Sequence, residues 1–158
     1  MKRWEILLMK RIIGLDLGDK TIGVALSDPL LLTAQGLKTI KRIGLKKDFA
    51  QIRQIIEEYD VCEVVIGIPK NMNNTIGPQG EKVLKFIEKF QKEFKLKVNL
   101  EDERLTTVVA ERMLIEGDVR RSKRKKIIDK VAATFILQSY LDRRKKGGDE
   151  TEKQDRTF

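Results

Sequence analysis

Apolar positions fall into two rhythms along this chain, and the switch between them sketches the elements. Ile12, Ile13, Leu15 and Leu17 crowd into a run that predicts a buried strand over 11–17. IGVALS at 22–27 predicts a second strand, joined to the first by the Gly18-containing turn at 18–21 into a hairpin. After Asp28-Pro29, an alternating, lysine-bearing segment from Gln35 to Ile43 predicts a third strand at a sheet edge. Phe49, Ile52, Ile56 and Tyr59 recur at helical spacing and predict an amphipathic helix over 46–59. The β-branched run VCEVVIGIP at 61–69, stopped by Gly67 and Pro69, reads as a central parallel strand. KNMNNTIGPQG reads as a polar loop, and Val83, Ile87, Phe90 and Phe94 mark a second helix.

A short strand over 97–100 delivers Glu101, Asp102, Glu103 and Arg104 at its end. A third helix is predicted from Val108 to Glu116, with Thr106 or Thr107 as N-cap and Gly117 as the stop. The last helix runs from Ser122 to about Arg144, with Ile128, Ala132, Phe135 and Ser139 facing inward. Gly147 opens the charged stretch GGDETEKQDRTF, which predicts a disordered tail over 147–158 and one domain over 1–146. The fold class that follows is α/β, a mixed sheet with an antiparallel start and helices on both faces.

Asp16 interrupts the first apolar run, and a carboxylate there needs a strong donor or a metal ion. A plainer reading makes it an acid that accepts hydrogen bonds from the turn Gly18-Asp19-Lys20. Composition narrows the choice. With no histidine among 158 residues, imidazole-based catalysis and His-built zinc sites are excluded, so any hydrolysis rests on carboxylates, lysine or metal-bound water. Thirty-three basic residues against 24 acids leave a net charge of +9, which favours a polyanionic partner. No apolar run approaches the length of a membrane span, and Glu5 and Lys10 break up the opening residues too early for a signal peptide. The single cysteine, Cys62, fits a reducing cytoplasm and a buried structural thiol.

Two further acids invite a common explanation with Asp16. Glu103, beside Asp102, stands at the end of the last predicted strand, and Asp129 lies early in the final helix, where Ala132 and Ala133 would allow a close approach to the sheet. Strand ends of this kind gather sites, and carboxylates brought together repel unless a cation such as Mg²⁺ or Mn²⁺ offsets them. Two such ions could hold the attacking water and the leaving oxygen of a phosphodiester. Taken singly, the same acids allow ordinary roles: Glu103 pairing with Arg104, Asp102 capping the strand end, Asp129 pairing with Lys125 or Arg124.

The blocks GLDLGDKTIGVALSD, VVIGIPKNMNNT, EDERLTTVVAE and KIIDKVAATFILQSYL, in this order across residues 11–141, resemble the YqgF family of Holliday junction resolvase-like proteins with a ribonuclease H-like fold. The resemblance implies a metal-dependent nuclease, with 5′-end processing of pre-16S rRNA and junction resolution as the activities ascribed to the family. Carried over by position, it makes Asp16 the first-strand acid, Glu103 the acid of the D-E-R-L-T block and Asp129 the acid of the last helix. Many ribonuclease H-like nucleases carry their second acid where this chain has Ile68 and Pro69, which leaves Glu103 to substitute from the next strand.

Arg120, Arg121, Lys123, Arg124, Lys125 and Lys126 put six basic residues within seven positions at the start of the last predicted helix. Positive charge at a helix start calls for an anion, and phosphate suits it. A solvated charge run is the plainer alternative. Arg104 and Thr106 beside Glu103, and Lys20 in the first turn, complete a candidate nucleic-acid surface. With aromatic residues at only 6%, extensive stacking on single-stranded bases is not expected. The resulting expectation is a cytoplasmic, Mg²⁺- or Mn²⁺-dependent nuclease acting on structured RNA such as pre-16S rRNA or on branched DNA, as a monomer or homodimer. Two rivals are a non-catalytic nucleic-acid-binding module of the same fold and a kinase-like ATPase, whose phosphate loops also use D-x-G.

Overall fold

The computed structural model describes residues 10–103 and 131–145. Five strands form one sheet: β1 (Arg11–Leu17), β2 (Thr21–Ser27), β3 (Ala34–Lys41), β4 (Val61–Ile68) and β5 (Lys97–Asp102), in spatial order β3-β2-β1-β4-β5. β2 runs antiparallel to both β1 and β3, whereas β4 is parallel to both β1 and β5. The mixed sheet with its hairpin start is therefore the one expected from the sequence.

Helix α1 (Leu45–Tyr59) and helix α2 (Pro78–Glu93) bury one sheet face. Ile13, Leu15 and Leu17 of β1 point into it with Val64, Ile66 and Ile68 of β4, since alternate residues of a strand share a face. Phe49 meets the rings of Phe86, Phe90 and Phe94 edge-on, at centroid distances of 5.4, 5.9 and 5.6 Å. The opposite face is covered by α3, the helical stretch 131–145, through Ala133, Ile136, Leu137 and Leu141 against Ile12, Ala25 and Val65. A Cβ on Gly14 would stand 2.8 Å from Leu137 Cβ and 3.0 Å from the Ala133 carbonyl oxygen. The small residues that let α3 approach the sheet thus sit on both partners.

Several boundaries and faces differ from expectation. α2 begins at Pro78, inside the stretch read as loop, because proline suits the first helical turn, where its missing N–H has no partner to lose. β5 continues two residues past Leu100 and pairs Glu101 with Gly67 and Asp102 with Ile68. The buried stripe of α1 is Phe49, Ile52 and Ile55, with Ile56 and Tyr59 at its margin. In α3 the buried positions are Ala132, Ala133, Ile136, Leu137 and Leu141, while Phe135 and Ser139 are half-buried, one helical step off the predicted face. Cys62 is half-buried rather than enclosed and donates to the Arg11 carbonyl at 3.4 Å. The helix predicted over 108–116, the start of the last helix and the tail over 147–158 lie outside the described residues.

Candidate active site at the ends of the parallel strands

Asp16 occupies the penultimate position of β1, on the α3 side of the sheet with Ile12 and Gly14. Leu15 pairs with Ile66 of β4, so Gly67 is the neighbour of Asp16 across the parallel pair. Gly67 in turn pairs with Glu101 of β5, and Glu103 leaves the strand end with its N–H donated to the Ile68 carbonyl at 3.2 Å. Glu103 then folds back over the sheet. A Cβ on Gly67 would stand on Glu103 Oε1, 2.6 Å from Glu103 Cγ and 2.5 Å from Ile136 Cδ1. The missing side chain of Gly67 is the space that the Glu103 carboxyl fills.

This placement brings the Glu103 carboxyl into hydrogen-bonding contact with the carboxyl of Asp16. Burial first, then the Asp16 charge, the hydrogen bond to Asp16 and the nearby Asp102 charge push Glu103 from the ordinary 4.5 up to about 9. At neutral pH Glu103 is therefore held protonated beside Asp16. Two carboxyl groups held this close offer hard oxygen donors that suit Mg²⁺ or Mn²⁺, which take carboxylates together with water or phosphate oxygens. Among the described residues no cluster of three or more His, Cys, Asp or Glu groups assembles. Asp129, the third expected acid, lies outside the described residues, four positions before Ala133.

Of the expected nucleic-acid contacts, Lys20 is exposed in the β1–β2 turn, four residues along the chain from Asp16. Arg104, Thr106, Arg120, Arg121, Lys123, Arg124, Lys125 and Lys126 lie outside the described residues. A groove of about 680 Å³ between α1 and α2, lined in part by Phe49, Arg53 and Lys89, belongs to the other side of the sheet and touches none of these acids.

Two polar clusters, missed from sequence, seat α3 beside the acids. Glu101, 6% exposed, accepts from Ser139 Oγ at 3.1 Å and from Arg143 Nη1 at 3.1 Å, with Arg143 Nη2 at 2.7 Å from its second oxygen. Glu63 accepts from the Tyr140 hydroxyl at 3.1 Å and from Asn99 Nδ2 at 3.2 Å. Burial, the Glu63 charge and this hydrogen bond raise the Tyr140 hydroxyl above its usual range, so it stays a donor at neutral pH. The role of Gly67 had a legible cue, since a lone glycine inside a β-branched strand marks close approach by something else.

Parallel strands β1, β4 and β5 beside an antiparallel hairpin, with carboxylates at the parallel strand ends, place the molecule in the ribonuclease H-like class. A solved structure of RuvC from T. thermophilus with a Holliday junction substrate shares this fold, at a TM-score of 0.50, 14% identity, and coverage of 85% of this chain and 95% of that one. The family model RuvX, described as Holliday junction resolvase, matches residues 10–143, and the chain belongs to that family. Relatives named "Putative pre-16S rRNA nuclease" include one from Desulforamulus reducens, 61% identical over 132 residues, 84% of this chain and 96% of the relative. Another, from Clostridioides difficile strain 630, is 61% identical over 132 residues, 84% of this chain and 94% of the relative.

Proposed function

We propose that this chain is a metal-dependent nuclease that hydrolyses phosphodiester bonds in 5′-end processing of pre-16S rRNA in the cytoplasm. The observation that carries the reading is the Glu103 carboxyl folded over Gly67 against Asp16. Such a pair is unfavourable as a purely structural device and becomes favourable when a cation joins it. The names of relatives that align with 84% of the chain support rRNA as the substrate.

In this reading Asp16, Glu103 and Asp129 are the catalytic acids and would hold Mg²⁺ or Mn²⁺, as one ion or as a pair. When bound, such an ion stabilises charge developing on the phosphate and makes water a better nucleophile at neutral pH. The residues prepare for this. Asp16 is fixed by the β1 ladder, and Glu103, anchored through its backbone to Ile68, would release its proton to solvent in order to serve as a ligand. Lys20, Arg104, Thr106 and the basic residues 120–126 hold phosphates on either side of the scissile bond.

The family's description favours a second reading, resolution of Holliday junctions, for which a two-fold symmetric dimer would suit the substrate. Purified protein incubated in parallel with a pre-16S rRNA fragment and a four-way DNA junction, with Mg²⁺, Mn²⁺ or chelator, separates the two. Cleavage of the rRNA fragment that chelator abolishes and Asp16→Asn removes, with binding retained, is the expected result. Cation-dependent cleavage surviving in Asp16→Asn overturns the role given to the acids. Tight binding without cleavage of either substrate leaves a binding module instead.

A further inference from the structure

The β1–β2 turn over 18–21 carries Lys20 and directly follows Asp16 and Leu17, yet its internal support is slight. Gly18 N–H bonds the Thr21 carbonyl at 2.8 Å, and the Asp19–Lys82 pair at 3.3 Å joins two side chains that are mostly exposed. A pair of that kind adds little order. Further support comes from outside the turn, through Arg42, just beyond β3.

Arg42 holds the turn at two points. Its backbone N–H donates to the Lys20 carbonyl at 2.9 Å, and its Nη1 donates to the Gly18 carbonyl at 2.8 Å. The guanidinium is itself fixed from behind. Its Nε lies 3.6 Å from Oδ2 of Asp48, a carboxylate 1% exposed near the start of α1, whose Oδ1 accepts the Ile43 N–H at 3.0 Å. The Arg42 Cζ also lies 5.9 Å from the Phe86 ring centre of α2. A nearly buried aspartate is costly unless paired, so Asp48 constrains where the arginine goes.

We infer that the Arg42–Asp48 pair is a positioning strap that fixes the β1–β2 turn, so that Lys20 meets the substrate backbone in a set register beside Asp16. The inference rests on the nucleic-acid-processing reading above for what Lys20 touches, and on geometry alone for what Arg42 holds. Arg42→Lys separates the two contacts of the side chain. The shorter lysine keeps the charge beside Asp48 and leaves the backbone bond to Lys20 intact, but falls short of the Gly18 carbonyl.

The test has two measurements. Hydrogen exchange of the full-length chain is expected to quicken several-fold at the amides of 18–21 in Arg42→Lys, with Ile13 to Leu15 unchanged. Unchanged exchange in the turn overturns the strap, whatever the protein binds. Affinity for a pre-16S rRNA fragment, read under chelator so that cleavage plays no part, completes a double-mutant cycle with Lys20→Ala. Each single variant is expected to bind about fivefold more weakly, on the scale of one ordinary hydrogen bond. The double variant is expected to be no weaker than the worse single one. Multiplying losses, or full-strength binding by Arg42→Lys, overturns the proposal. Wild-type protein that fails to bind RNA while the turn loosens as expected would count against the substrate reading and not against the strap.

Discussion

A carboxyl pressed against a second carboxyl holds its proton well past the pH at which a free one releases it. Burial and the neighbouring Asp16 push Glu103 from an ordinary 4.5 up to about 9. Between those values the folded chain keeps a proton that the unfolded chain has released. The stabilising contribution of this group is therefore complete below about pH 4.5 and is lost as pH rises towards 9. Chelator-treated protein should melt at falling temperature from pH 6 to pH 9, and Glu103→Gln, which has nothing to titrate, should flatten that decline. An equal decline in both proteins would show that Glu103 is not the titrating group. Gly67 carries a companion prediction. Adding one methyl there meets both Glu103 and Ile136, so Gly67→Ala should cost roughly 1–3 kcal/mol and displace the carboxyl from Asp16. Denaturant unfolding and cleavage assays should fall together, and a fully active, fully stable variant would refute the packing argument.

Helix α3 shows how much one element depends on contacts that local sequence does not display. Its apolar face is nearly legible: helical spacing points Ala132 inward, where it is buried, but points Phe135 and Ser139 inward too, where the fold buries Ile136 and Leu137. The rotation follows from Gly14, against which Leu137 and Ala133 pack, and no periodicity within the helix reports a partner on β1. The strands were easier, because alternation and β-branching are properties of the strand itself. The meeting of Asp16 with Glu103 was reachable from strand order, but the space above Gly67 that admits Glu103 required the register of β4 against β5. Least visible of all was Arg143, one cation in a basic stretch, whose guanidinium forks onto the buried Glu101. Because Arg143 is itself 61% exposed, solvent screening limits the loss in Arg143→Ala to roughly 1–2 kcal/mol. Lys145, exposed at the end of the same helix, is the control, and equal urea midpoints for Arg143→Ala and Lys145→Ala would mean that the fork does not seat α3.

At the scale of the whole molecule, the net charge of +9 attracts any polyanion, and the question is which cations remain at phosphates once the complex has formed. Affinity alone does not answer it, because a distant lysine also strengthens long-range attraction. The dependence of affinity on salt is more discriminating, since each phosphate neutralised in the complex adds a fixed increment to the slope of log K against log salt. If Arg120, Arg121 and Lys123 sit at phosphates as proposed, replacing all three with glutamine should make the slope shallower by about 0.7–0.9 for each phosphate left without its cation. Replacing Lys89 and Lys92 of α2, on the sheet face away from Asp16 and Glu103, should weaken binding only slightly, by a similar factor at each salt concentration, and leave the slope nearly unchanged. The opposite pattern would move the bound RNA to the α1–α2 side, where no described acid pair awaits it, and would separate binding from the Asp16–Glu103 site altogether.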